Sequence, residues 1–128
     1  MFKRILIVDD SLAARMIIRQ YLEIAGCQDA EFVEVGNGAE ALKALKEQPC
    51  DLIVTDMNMP VMNGHDLIKR LKASPKWIGI PIIIVSSAVN QDNQERYMKY
   101  GANHIIGKPV SPQLFYRAIN ALGSQQEA

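Results

Sequence analysis

The sequence predicts an α/β fold in which five parallel strands alternate with five helices. Short apolar runs recur along the 128-residue chain, and segments with helical periodicity separate them, which is the pattern of repeated β–α units. Most of the runs are continuously apolar, as expected for strands whose two faces are both covered by helices. Five such units predict a doubly wound sheet with strand order 2-1-3-4-5.

The strands are predicted from the apolar runs and from the polar residues that bound them. The second run is more polar than the others, so it suits an edge of the sheet. The five predicted strands are Arg4–Asp9, Glu31–Val35, Asp51–Asp56, Ile80–Ser86 and His104–Ile106.

The helices are predicted from apolar residues that recur at steps of three and four. The first stripe runs from Ala14 to Ala25, and Gly26 follows it as a suitable residue just past a helix end. Ser111 and Pro112 predict the start of the last helix, because serine is a preferred N-cap and proline suits the first helical position. The other helices are predicted around residues 39–47, Leu67–Leu71 and residues 92–100.

The chain is predicted to form one domain at residues 1–122, followed by a short polar tail at 123–128. Its 14 basic and 14 acidic side chains leave no net charge, so no overall field favours nucleic acid or anionic lipid. No apolar run approaches the length of a signal-peptide core or a membrane span. We therefore expect a cytoplasmic (βα)5 flavodoxin-like sandwich without nucleic-acid or membrane partners.

Polar side chains follow four of the predicted strands at the point where each strand ends. Asp9 and Asp10 follow the first apolar run, and Asp56 ends the third. Ser86 and Lys108 hold the corresponding places after the fourth and fifth. Groups at the carboxyl ends of parallel strands converge at the topological switch point, so we expect these five side chains to share one crevice.

Three carboxylates in one crevice predict a site for a divalent cation. Like charges at short range raise one another's pKa unless a cation neutralises them. Oxygen ligands that leave room for water and a phosphoryl group suit Mg²⁺. The alternative, that Asp9 and Asp10 only cap a helix, does not account for Asp56 and Lys108 at the ends of other strands.

Six short motifs occur in order along essentially the whole chain. They are Ile7–Ser11, Val54–Pro60, Asn63–Gly64, Val85–Ala88, Gly101–Ala102 and Lys108–Pro109. As a set they resemble the motifs of receiver domains of two-component response regulators. The layout is most similar to the single-domain, CheY-like chemotaxis type.

The resemblance implies a phosphorylation switch that depends on a metal ion. Asp56 would accept a phosphoryl group from a phosphohistidine and form an acyl phosphate. Asp10, Asp56 and the backbone carbonyl of Asn58 would bind Mg²⁺, for which Mn²⁺ can substitute. Asp9 would act mainly through water. Phosphoryl transfer asks a protein mostly for positioning and charge neutralisation, which such a set can supply.

The resemblance also implies how the switch works. Lys108 and Ser86 would each contact a phosphoryl oxygen, and the Lys108–Pro109 bond would be a cis peptide that turns the lysine into the site. Movement of Ser86 would shift the loop after the fourth strand and change the surface formed by the fourth helix, fifth strand and fifth helix. Family members commonly carry an aromatic residue on the fifth strand that rotates inward, whereas this chain has Ile105.

The implied partners are a sensor histidine kinase or a histidine phosphotransfer protein, and a downstream target protein. The phosphodonor would approach near Leu12 and Ala13. Because the sequence shows no output domain, we expect the target to bind the surface of the fourth helix, fifth strand and fifth helix. The residues predicted for that surface are Gln91, Gln94, Met98, Ile105, Val110 and Ala118.

Arg15 and Arg19 are expected on a solvated helix face.

Several other functions are weighed against this one. Within signalling, two alternatives stay open: a phosphorelay intermediate that passes its phosphoryl group to a second histidine phosphotransferase, and an adaptor that needs no phosphorylation. A phosphatase of the haloacid-dehalogenase type needs a second acid two residues after the nucleophile, where this chain has Asn58. A flavodoxin-like cofactor protein needs a phosphate-binding loop, and neither GxGxxG nor GxxxxGK[ST] occurs. We therefore predict a signalling phosphoacceptor rather than an enzyme.

Overall fold

Strands and helices alternate along the chain in a computed structural model, which describes the backbone of residues 2–127 and the side chains of residues 2–123. The strands are β1 (Arg4–Val8), β2 (Glu31–Val35), β3 (Leu52–Asp56), β4 (Ile82–Ser86) and β5 (His104–Gly107). The helices are α1 (Leu12–Leu22), α2 (Gly38–Glu47), α3 (Gly64–Lys72), α4 (Gln91–Tyr100) and α5 (Pro112–Glu127). None of the helices so described is long and apolar enough to cross a membrane.

The five strands form one parallel sheet with the order β2-β1-β3-β4-β5. This order confirms the prediction. Every residue of β3 and β4 is buried, because helices cover both faces of the sheet. The more polar β2 lies at an edge and is only partly buried, as its composition predicts.

Alternate residues of each strand face two separate apolar layers. Ile5 and Ile7 of β1 face the layer that α1 and α5 cover, and Leu6 and Val8 face the layer under α2, α3 and α4. The largest helical contributors to the first layer are Ile18, Leu22, Phe115 and Ile119. Those to the second are Leu45, Leu67, Ile68, Leu71 and Tyr97.

Side-chain caps begin the helices close to the strand ends. Ser11, Asn37, Asn63 and Asn90 each accept a hydrogen bond from the backbone N–H three residues along. A cap of this kind stabilises a helix by about 1 kcal/mol. Ser111 Oγ accepts a longer bond of 3.4 Å from the backbone N–H three residues on, at the predicted start of α5. The caps therefore fix where each helix leaves the carboxyl edge of the sheet.

α1 itself ends at Leu22, and an irregular turn continues the helical segment as far as the region of the predicted stop at Gly26. Residues Glu23–Cys27 form a π-helical turn, and Gly26 has a φ of 110°. Glycine adopts this left-handed conformation without the steric penalty of a side chain. The chain can therefore reverse there and enter β2.

The last helix differs from the prediction in two respects. Ala118 is fully buried, because it shares the inward stripe of Phe115 and Leu122, so its assignment to a partner surface is wrong. The backbone of residues 123–127 continues α5, whereas the sequence predicts a tail; glutamine and glutamate favour helix and no proline stops it. Ala128 lies outside the described residues. The domain boundary at residue 122 stays a prediction.

Gly64, at the start of α3, has no room for a side chain. An added Cβ would collide with the carbonyl oxygen of Asp56 and lie 2.9 Å from Cα of Met57. Because both atoms belong to the backbone, we expect Gly64→Ala to lower the free energy of unfolding by about 1–3 kcal/mol, measured by urea denaturation. Gly79→Ala is the control, since its Cβ would meet nothing within 4 Å. Equal losses in the two variants would contradict this explanation.

Candidate functional site

Asp9, Asp10 and Asp56 form an acidic cluster at the carboxyl ends of β1 and β3. Val8 pairs with Thr55 across these neighbouring strands, so Asp9 leaves β1 directly beside the last residue of β3. One carboxylate oxygen from each of the three lies within 4.8 Å of the others. Asp9 and Asp56 are buried, and Asp10 is exposed. The structure thus brings together the three carboxylates that the sequence predicts as metal ligands.

Lys108 places a positive charge beside this cluster. It follows β5 at the same edge of the sheet, and its peptide bond to Pro109 is cis, as the resemblance implies. Lys108 Nζ lies 3.5 Å from Oδ2 of Asp9 and 3.7 Å from Oδ2 of Asp56. A single ammonium group does not balance three carboxylates, so the crevice keeps an excess of negative charge.

The carboxyl group of Asp56 is perturbed by its surroundings. Burial raises the pKa of Asp56 above its ordinary value, Lys108 lowers it in part, and Asp9 raises it. Backbone N–H groups of Met57, at 2.8 Å, and Asn58 donate to the carboxylate and also lower the pKa. The pKa remains raised on balance, so the ionised carboxylate is held at a cost that a bound cation would relieve.

The donor set fits a hard divalent cation. All three side chains offer carboxylate oxygens, the ligands that Mg²⁺ prefers. Asp10 is exposed, which leaves space for the water molecules that Mg²⁺ usually keeps. The fourth predicted ligand is the carbonyl of Asn58, which lies two residues past the end of β3 with an exposed side chain.

Ser86 ends β4 on the other side of Asp56 and is buried. Its Oγ accepts a hydrogen bond from the backbone N–H of Ala88 at 3.1 Å. The same oxygen lies 3.4 Å from the hydroxyl of Tyr97, a buried residue of α4. Sequence reasoning missed Tyr97; the signal was a pair of tyrosines, Tyr97 and Tyr100, three residues apart on an otherwise polar helix.

Arg15 is a second site-adjacent residue that sequence reasoning missed. Its Nη1 donates to the carbonyl oxygen of Asp9 at 2.6 Å, and its Nε lies 3.3 Å from Oε1 of Glu34. Only 17% of the side chain is exposed, so the expected solvated position is wrong for Arg15. The side chain turns inward because α1 begins immediately after the acidic loop. The side chain of Arg19 is 47% exposed, closer to the expectation.

The residues predicted for the partner surface differ in their exposure. Gln91, Gln94 and Met98 are exposed on α4, and Ile105 is half-buried. A groove of about 630 Å³ runs between α4 and β5, and Gln94, Met98 and Ile105 contribute to its walls. Val110 is half-buried and packs against the apolar layer under α1 and α5.

Comparison with known proteins identifies the family. Residues 5–120 match the response regulator receiver domain. The chain belongs to this family. The CheY homolog of Campylobacter jejuni strain 81-176 is 37% identical to this receiver domain over 112 residues, which are 87% of this chain and 85% of that protein. CheY1 of Helicobacter pylori strain J99 is 36% identical over 112 residues, 87% of this chain and 89% of that protein.

Solved receiver structures have the same fold. CheY4 of Vibrio cholerae matches with a TM-score of 0.83 at 25% identity, over 95% of this chain and 99% of that one. The receiver domain of a signal transduction histidine kinase from Syntrophus aciditrophicus matches with a TM-score of 0.83 at 31% identity, over 96% and 91%. The predicted flavodoxin-like fold is therefore confirmed. The protein is a CheY-type receiver domain of two-component signalling.

The raised pKa of Asp56 predicts a pH-dependent gain in stability for Asp56→Asn. The folded state binds the Asp56 proton more tightly than the unfolded state, so the wild type loses stability as pH rises through the folded pKa. In EDTA at pH 7, the neutral amide should therefore raise the thermal midpoint, by roughly 3–6 °C for each kcal/mol gained. The gain should shrink towards zero as the pH is lowered. Asp29→Asn, at an exposed position, is the control, and a gain that is constant with pH would contradict the assignment.

Proposed function

We propose that this receiver domain accepts a phosphoryl group on Asp56 from a phosphohistidine, with Mg²⁺ as cofactor. The observation that carries the proposal is the buried Asp56 carboxylate, which lies within one acidic cluster with Asp9 and Asp10 and 3.7 Å from the ammonium group of Lys108. Phosphoryl transfer requires a nucleophile in line with the leaving group and positive charge around the phosphoryl oxygens. Both requirements can be met in this crevice.

Each site residue has a separate role in the phosphoryl transfer. A carboxylate oxygen of Asp56 attacks phosphorus as the bond from phosphorus to the histidine nitrogen breaks. Asp10, Asp56 and the carbonyl of Asn58 would hold Mg²⁺, with Asp9 acting through water, and the ion would neutralise charge at the phosphoryl oxygens. Lys108 exchanges its contacts with the carboxylates for a phosphoryl oxygen. The protein thereby acts as a signalling phosphoacceptor.

Switching begins at Ser86. Its hydroxyl turns to a phosphoryl oxygen and gives up its contacts with the Ala88 amide and the Tyr97 hydroxyl, which are 3.1 and 3.4 Å long. Tyr97 belongs to α4, so this exchange couples the phosphoryl group to the groove between α4 and β5. Ile105 in that groove repacks without the swing of an aromatic ring. A local charge change thus biases the conformation of a distant surface.

The partners follow from these two surfaces. A sensor histidine kinase or histidine phosphotransfer protein docks over the site near Ala13 and Leu12, whose side chain is exposed. A downstream target protein binds at the groove between α4 and β5. Relatives named as chemotaxis proteins support a chemotaxis-type pathway, and we propose that it operates in the cytoplasm.

Phosphorylation is tested by the mass of the intact protein after incubation with acetyl phosphate. We expect one added phosphoryl group on the wild type with Mg²⁺, and none with EDTA or on Asp56→Asn. Asp66→Asn is the control, because Asp66 is an exposed residue of α3 and should still be modified. A phosphoryl group on Asp56→Asn would show that another residue is the acceptor.

The switch is tested with Ser86→Ala. This variant should still be phosphorylated, but amide hydrogen exchange in α4 should no longer change when the phosphodonor is added. Ser87→Ala is the matched control, since the neighbouring hydroxyl is exposed and lacks the Tyr97 contact. A wild-type exchange response in Ser86→Ala would place the switch at another residue.

A further inference from the structure

Arg15 contacts the backbone of the acidic loop rather than its carboxylates. Its Nη1 donates to the carbonyl oxygen of Asp9 at 2.6 Å, the shortest of the bonds that hold this loop. That oxygen belongs to the peptide group that joins Asp9 to Asp10. The orientation of this group sets the direction in which the Asp10 side chain leaves the backbone.

The guanidinium group of Arg15 is itself held in place. Its Nε lies 3.3 Å from Oε1 of Glu34 on β2, and Oε2 of Glu34 lies 3.7 Å from Nη1 of Arg19. Arg15 and Glu34 are 17% and 23% exposed, so solvent reaches this ion pair only in part. In a partly buried pair, loss of one charge leaves the other uncompensated, which favours the paired arrangement.

Other bonds fix the remaining atoms of Asp9. Its backbone N–H donates to the carbonyl of Val35 at 3.1 Å, and its Oδ1 accepts from the backbone N–H of Ser11 at 2.9 Å. Its Oδ2 lies 3.5 Å from Nζ of Lys108, and its carbonyl oxygen accepts from Arg15. Asp10, in contrast, is exposed, so its direction depends on the peptide group that precedes it.

We propose that Arg15 is a positioning residue that sets the affinity of the acidic cluster for divalent cations by holding the Asp9–Asp10 peptide group. This inference rests on the proposed metal site. Residues that orient metal ligands typically change metal affinity by about 10–100-fold when they are removed.

The sign of the effect separates positioning from simple electrostatics. Arg15 carries a positive charge near the cation site, so its loss would tighten Mg²⁺ binding if charge alone mattered. Loss of the orienting bond acts in the opposite direction. Weaker binding after removal of a positive charge is therefore a specific result of positioning.

The test is calorimetric titration of the full chain with Mg²⁺ alone, without a phosphodonor. We expect Arg15→Met to bind Mg²⁺ about 10-fold more weakly or worse. Arg19→Met is the matched control, because Arg19 pairs with the same Glu34 but makes no contact with the Asp9 carbonyl; its affinity should stay within about twofold of wild type, well under that orienting effect. Arg15→Lys keeps a donor that can reach a carbonyl and should recover part of the loss.

The outcomes distinguish this inference from the proposed function. If the wild type binds Mg²⁺ and Arg15→Met binds it as tightly or more tightly, the positioning role is wrong while the metal site stands. An equal loss in Arg19→Met would also overturn it, by showing that the ion-pair network as a whole is responsible. If the wild type itself does not bind Mg²⁺, the proposed function fails, and the inference fails with it. Urea denaturation of each variant identifies any loss that is due to unfolding.

Discussion

Negative charge crowded at the carboxyl edge of a parallel sheet is the constraint on which this structure depends. The register of β1 against β3 leaves no alternative to placing Asp9 beside Asp56, and burial keeps water from screening them. Among the described contacts, only Lys108 places a positive charge directly beside these two carboxylates. The two apolar layers and the capped helices position the strand ends, and with them the carboxylates. The site is therefore electrostatically unfavourable, and the proposed metal ion and phosphoryl group would act on that property.

Much of the fold follows from local pattern. Continuous apolar runs identify buried parallel strands. Polar residues at the ends of those runs mark the carboxyl edge of the sheet, which is where the structure has Asp9, Asp56, Ser86 and Lys108. Their roles are a chemical inference that geometry supports but does not test. Boundaries are less well predicted, as in α5, where Gly123 suggests a helix end but the helix continues to Glu127.

The residues that sequence reasoning missed share one property, which is that their contacts cross between elements. The sequence predicts Arg15 on the surface because most arginine residues are exposed. Only the fold brings the Asp9 carbonyl and Glu34 within hydrogen-bonding distance of its guanidinium group. Tyr97 is one of two tyrosines on a mostly polar helix, and only the fold places Ser86 opposite it. The error at Ala118 is the opposite one: the residue is predicted on the partner surface, but it is fully buried and faces inward.

The close approach at Gly64 gives the two sides of the site different mechanical character. On the α3 side, the backbone of Gly64 packs against the backbone that follows β3, and its N–H donates to the carbonyl of Met57 at 3.0 Å. We therefore expect α3 and the end of β3 to move together. On the α4 side, Ser86 Oγ lies 3.4 Å from the hydroxyl of Tyr97 and accepts a hydrogen bond from the backbone N–H of Ala88 at 3.1 Å. Backbone contacts thus join α3 to β3, whereas α4 meets this edge of the sheet through the side-chain contacts of Ser86, so a change at Asp56 would reach α4 more readily than α3.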